Sequence, residues 1–190
     1  MNKEQIKLRS MIVTALFAAI IGVMAQLTIP LPLVPITGQT LAIGLAATIL
    51  GSRFGTISVL LYLAIGSAGV PVFAEFSAGL SKLVGPTGGF LVGFIPAAFV
   101  IGLFMEKLGF TIKNAIIANI IGMLITLAFG TIWLKISLDL SWTAALASGF
   151  TPFLIVGVIK SLLAAWVGIL VRNRLISANL LFSSKINQSA

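Results

Sequence analysis

Gly69-Val70-Pro71-Val72-Phe73-Ala74-Glu75-Phe76-Ser77-Ala78-Gly79-Leu80-Ser81-Lys82-Leu83-Val84-Gly85-Pro86-Thr87-Gly88-Gly89-Phe90-Leu91-Val92-Gly93-Phe94 lies between long apolar segments, yet it is neither a hydrophilic loop nor a spanning helix. It carries aromatics, one carboxylate, one ammonium and the glycines at 79, 85, 88, 89 and 93. It is too apolar for bulk water and too broken to continue a helix. Irregular backbone is tolerated at a membrane only where protein buries it or where it lines a cavity. The stretch therefore reads, over 69–85, as an external lid loop folded back over a small-molecule pocket that the other segments build.

The whole chain supports a membrane setting. Of its 190 residues 59% are hydrophobic and 8% charged, against about 25% charged in a soluble domain. Such a chain cannot make a wettable surface, and the lack of apolar–polar alternation points to helices rather than a membrane β-barrel. There is no cysteine and no histidine, which excludes thiol catalysis, disulfides and histidine-based zinc sites. With Glu4, Glu75, Glu106 and Asp139 as the only acids, neither a metal site nor a carboxylate proton relay is expected. No cofactor is expected either. The net charge of +8 does not indicate nucleic acid, because the basic residues flank apolar segments instead of interleaving with aromatics. The run from Lys3 to Arg9 resembles the start of a signal peptide, but the apolar run after it continues too far and lacks a cleavage site.

Taken in order, the chain reads as six transmembrane helices in a compact bundle, forming one membrane domain over 1–190. The expected spans are about 10–28, 37–50, 54–68, 86–105, 114–134 and 152–171. Prolines at 30, 32 and 35 end the first. The second and third are short, covering about 20–23 Å of a roughly 30 Å hydrocarbon core, with Gly51-Ser52-Arg53 as the turn between them. Short, glycine-interrupted segments point toward a binding site. Pro86 is expected at the first turn of the fourth helix. A short surface helix is expected within 135–149, and 173–190 reads as a polar C-terminal tail. Under this topology one face holds Lys3, Lys7, Arg9, Arg53, Lys107, Lys113, Arg172, Arg174 and Lys185, and the other holds Lys82 and Lys135. The imbalance places both termini in the cytoplasm.

Lys160 is the sharpest single signal. It lies inside the sixth span, about 12 Å below its outer boundary, where an ammonium is costly unless paired and marks function by default. An anionic or carbonyl-rich ligand is its natural complement; a structural partner such as Glu75 is the other reading. Thr37, Gln39 and Thr40 open the second span and can hydrogen-bond a ligand, or Thr37 can cap the helix. Tyr62, the only tyrosine, needs a partner for its hydroxyl, either a ligand or another helix. Asn114 and Asn119 read as interhelical bonds, and Trp133 as an interfacial anchor. Ala15, Ala18, Ala19 and Gly22 form a small-residue stripe, and Gly85, Gly89 and Gly93 a second; both suit close helix packing. No phosphate-binding loop, kinase set or nucleophile elbow is present. Any ATP-driven step therefore belongs to another subunit, and no nucleophile–base pair supports an enzyme.

Four runs carry a family resemblance: Val34-Pro35-Ile36-Thr37-Gly38-Gln39-Thr40-Leu41, Gly55-Thr56-Ile57-Ser58-Val59-Leu60-Leu61-Tyr62-Leu63, Gly69-Val70-Pro71-Val72-Phe73-Ala74 and Gly85-Pro86-Thr87-Gly88-Gly89-Phe90-Leu91-Val92-Gly93-Phe94. Together they resemble the BioY family, the biotin-specific S-components of energy-coupling factor (ECF) transporters, over most of residues 10–172. The resemblance implies a bacterial plasma-membrane protein that captures biotin at its outer face. It implies partners too: a membrane-embedded coupling subunit and two ATP-binding-cassette ATPases. Ala15 and Ala19 match the family's contact motif on the first helix, which turns that stripe from internal packing to a docking surface. Lys160 matches the lysine of the pattern P-F-x-P-G-D-x-x-K, whereas Gly157 stands in place of the family's aspartate, and Glu75 and Phe76 in place of a glycine pair. The candidate ligand-binding set is thus Lys160, Thr37, Gln39, Tyr62, Phe73, Glu75 and Thr87. The competing expectation is an autonomous channel or facilitator for a small anionic solute.

Overall fold

The computed structural model describes residues 3–178, 180 and 181. The order is α1 (Lys3–Ala25), β1 (Thr28–Ile29), β2 (Ile36–Thr37), α2 (Gln39–Ser67), a 3-10 turn (Ala74–Phe76), α3 (Ser81–Val84), α4 (Gly88–Leu108), α5 (Ile112–Ser137), α6 (Trp142–Gly149) and α7 (Thr151–Ser177). Five helices among the described residues are long and apolar enough to cross a membrane.

One of these, α2, is two arms. Gly51 takes φ +82 and ψ −173 inside it, a conformation that glycine adopts without the Cβ penalty of other residues. The chain turns back there. A Cβ on Gly55 would lie 2.8 Å from the Cα of Ala47, and the amide of Gln39 bonds the hydroxyl of Tyr62 across the far ends of the arms. The arms, 39–50 and 52–67, correspond to the second and third expected spans. With α1, α4, α5 and α7 they make an all-α bundle of six helical arms.

The bend is closed by its neighbours. Gly102 of α4 lies against the Gly51–Ser52 backbone, where a side chain would collide with main-chain atoms. Glu106 caps the second arm: Ser52 N donates to its Oε1 and Ser52 Oγ to its Oε2, each at 2.7 Å. Arg172 of α7 is buried, donates to the carbonyl of Ile49 at the end of the first arm, and stacks over Phe110 at 3.4 Å from the ring centroid. Free backbone groups at both broken helix ends thus find charged partners.

Several boundaries differ from expectation. The first helix starts at Lys3 rather than near residue 10, since Lys3 to Arg9 are good helix formers continuous with the apolar run. Pro86 precedes its helix: Gly88 N donates to Gly85 O at 2.9 Å, closing a turn through Pro86 and Thr87, and α4 begins at Gly88. α7 runs on to Ser177, so the tail expected from 173 is helical for a further turn; residues 179 and 182–190 lie outside the described residues. The lid region 69–85 is partly regular, holding the 3-10 turn and α3. The strands were not anticipated. They pair Thr28 with Thr37 and Ile29 with Ile36, pinning the proline-rich loop 30–35 as a hairpin over the same end of the bundle as the lid. The surface helix expected in 135–149 is α6, with Ser141 as its cap.

Candidate functional site

At the end of the bundle opposite the bend lies a cavity of about 300 Å³, at the small end of the usual range for ligand pockets. Its walls come from the first arm of α2 and from α4, α5 and α7. The lid and the proline-rich loop roof it through Phe73, Ala74, Glu75, Ser77, Lys82 and residues 31–35. The lining is mainly apolar and aromatic, with Phe90, Phe94 and Phe153 prominent and Phe90 tilted against Phe153 at 6.1 Å.

Lys160 projects into this cavity from the third turn of α7. Its Nζ donates to the carbonyl of Thr37 at 2.7 Å and to Thr40 Oγ1 at 3.4 Å. Both partners are neutral. Among the described residues no carboxylate pairs with it, so the structural pairing with Glu75 is not made. Thr37 sits in β2, one residue before the cap residue Gly38: its hydroxyl donates to Gln39 Oε1 at 2.8 Å and accepts from Gln39 N, the first amide of α2, at 3.4 Å. Gln39 is buried on the lining and donates through Nε2 to Tyr62 OH. Tyr62 itself is 1% exposed and stands behind Gln39, away from the lining. Phe73 and Thr87 line the cavity, and Glu75 stands at its exposed rim. Six of the seven candidate residues therefore meet at one cavity, and the seventh supports one of them.

Reading residue by residue missed parts of the wall. Asn119 does bond between helices, its Nδ2 reaching Thr48 Oγ1 at 2.8 Å, but it also lines the cavity beside Thr126 and Ser161. Its position one turn from Met123 and two from Thr126, on the same face of α5, was the available signal. Asn114 caps the end of α4 through the carbonyls of Leu108 and Gly109. Trp133 is half-exposed, and its indole N–H donates to Gly85 O at 3.0 Å, tying α5 to the lid's last turn. At residue 157 a side chain would run into the sulfur of Met123, so thioether fills the space beside Lys160's helix.

The small-residue stripe on α1 divides. Ala18 is buried and Gly22 packs against Val72, whereas Ala15 and Ala19 face outward among exposed Met11, Ile12, Leu16 and Val23. The glycines of α4 pack within the bundle, Gly89 on Trp133 and Gly93 on Phe129.

The profile of the BioY family matches residues 1–177. The chain is 41% identical over 181 residues to the biotin transporter BioY2 of Lactococcus lactis subsp. cremoris, covering 95% of this chain and all of that one. It is 39% identical to the biotin transporter BioY of Thermotoga maritima over 162 residues, 85% of this chain and 95% of that one. A crystal structure of the S-component for biotin from an ECF-type ABC transporter superposes with a TM-score of 0.83 at 29% identity, covering 91% of this chain and 95% of that one. These matches, together with the apolar helices, make this a multi-pass membrane protein of a transporter family rather than an enzyme. The chain belongs to the BioY family.

Proposed function

We propose that the protein is the biotin-binding S-component of an ECF-type importer, taking biotin into the roofed cavity. The observation that carries this is Lys160 inside an apolar, aromatic-walled cavity with only neutral partners among the described residues. Biotin offers apolar ring surface together with a ureido carbonyl and a carboxylate, either of which a buried ammonium would take. Further hydrogen-bonding groups on the lining include Thr37, Gln39, Thr40, Thr87, Glu75 and Asn119, with Tyr62 holding Gln39. The six arms are read as the membrane spans of one domain. α1 begins and α7 finishes toward the bend, alongside Arg53, Lys107 and Lys113, and that basic end is read as cytoplasmic. The cavity then opens outward.

Energy comes from partners: a membrane coupling subunit and two ATP-binding-cassette ATPases. Ala15 and Ala19, outward-facing and one turn apart, offer a surface on which a partner helix can approach closely. Calorimetric titration of biotin into the purified protein in detergent tests the reading directly. Saturable binding supports it; absence of binding overturns it. Ala15→Trp with Ala19→Trp is expected to abolish association with the coupling subunit while leaving biotin binding by the isolated protein within about twofold, because the pair faces away from the cavity. Loss of biotin binding in that variant would remove the docking assignment.

A further inference from the structure

Gln26 lies just beyond α1 and touches the lid with both ends of its amide. Nε2 donates to Gly22 O within α1 and to Phe73 O in the lid, each at 3.1 Å. Oε1 accepts from Phe76 N at 2.9 Å. The turn between these contacts is unusual: Glu75 and Phe76 take φ +58 and +53 without being glycines. Such conformations are sparsely populated and persist where surrounding contacts over-determine them. Here a single side chain grips the turn on both sides, and Phe73 N donates to Ser77 O at 3.0 Å to close it.

Contact does not stop at the lid. Phe73 is 2% exposed, and its ring meets Tyr62 edge-on at 5.5 Å and 81°. Tyr62 accepts from Gln39, Gln39 from the Thr37 hydroxyl, and the Thr37 carbonyl from Lys160. An unbroken series of packed and hydrogen-bonded groups therefore joins Gln26, which is outside the cavity lining, to the cation inside it.

We propose that Gln26 is a positioning residue for ligand binding: it fastens the strained lid turn and, through Phe73, Tyr62, Gln39 and Thr37, sets the Lys160 side of the cavity. The proposal rests on the reading of the cavity as a ligand site. Releasing the fastener opens the lid more often, which speeds both entry and escape, and loosens the Lys160 side of the cavity, which adds to escape alone. Methionine at 26 keeps the length and removes both polar ends. Glutamate keeps the acceptor for Phe76 N but has no donor for Phe73 O.

The absence of native cysteines makes a single introduced thiol a clean reporter. Ala74→Cys, at the roof of the cavity, is labelled with a maleimide in detergent without ligand, in the parent and with Gln26→Met. Labelling is expected to accelerate about tenfold, the scale of losing two hydrogen bonds. Lys107→Cys, at the bend end, is expected to label at an unchanged rate. Stopped-flow biotin binding is expected to show an off-rate raised about tenfold or more and an on-rate raised by less, with Gln26→Glu intermediate on both measures. Equal labelling of Ala74→Cys in the two backgrounds overturns the fastener. Equal acceleration at both thiol positions, or equal changes in on- and off-rate, also overturns it by showing general loosening. Faster labelling with an unchanged off-rate overturns the link to the site. If the unmodified protein fails to bind biotin, the functional reading falls, and the labelling comparison still decides the fastener.

Discussion

At the bend end of the bundle, Glu106 and Arg172 are engaged by backbone. Glu106 takes the free N–H and hydroxyl of Ser52, and Arg172 takes the carbonyl of Ile49 while stacking on Phe110. At the cavity end, Lys160 holds one neutral carbonyl and one distant hydroxyl, with open space beside it. Both ends place charge among apolar helices, where an ionised group requires partners. On the proposed function, the difference separates a charge that completes the fold from a charge kept for a ligand. Substitutions at the bend should change stability and leave affinity alone; substitutions at the cavity should do the reverse.

The largest effect expected at the bend comes from Gly102→Leu. Its side chain would be driven into the Gly51–Ser52 backbone, which cannot yield as a flexible side chain could. A loss of about 3 kcal/mol in stability is expected, the upper part of the range for overpacking, visible as a lowered melting temperature in detergent. Undiminished melting would mean that the hairpin bend is not held by α4.

Next is Arg172→Ala, which leaves Ile49 O unpaired and empties the face of Phe110. About 2 kcal/mol should be lost, in line with hydrogen bonds to charged groups, with biotin affinity within about twofold of the parent. A large fall in affinity without a fall in stability would erase the distinction between the ends. Smaller still is Glu106→Ala. It removes a capping carboxylate from the second arm, and about 1 kcal/mol is expected by analogy with lost helix caps. Thermal unfolding of the two single variants and the double variant would show whether the cap and the arginine act as one unit.

How much of this could be read beforehand follows the range of the interactions. The arms and their order were legible, because apolar runs, the proline cluster at 30–35 and Gly51 act locally. The cavity residues Thr37, Gln39 and Lys160 were legible for a related reason: a polar group in an apolar segment is conspicuous wherever it points. Tyr62 was conspicuous too, yet its role depended on which neighbour its hydroxyl met, and that neighbour is 23 positions away. Gln26 was invisible. It stands at the edge of an apolar run where a polar residue is unremarkable, and its partners are 47 and 50 positions further on. The bend-end pair was hidden in the same way, since Glu106 and Arg172 read as ordinary interfacial charges until the hairpin placed Ser52 and Ile49 beside them. The short ladder between 28–29 and 36–37 was hidden because two residues are too few to show a strand period.

The role of Lys160 is tested by a paired calorimetric titration of biotin into the parent protein and into Lys160→Ala, in the same detergent, with melting temperatures recorded for both. A ligand role for Lys160 predicts binding to the parent and a dissociation constant raised roughly tenfold to a hundredfold in the variant, equivalent to about 1.5–3 kcal/mol. Melting without ligand should be essentially unchanged, because removing the ammonium also removes its desolvation cost. Equal affinity in the two proteins, or a variant that loses stability instead of affinity, would contradict it and make Lys160 a structural residue like Arg172.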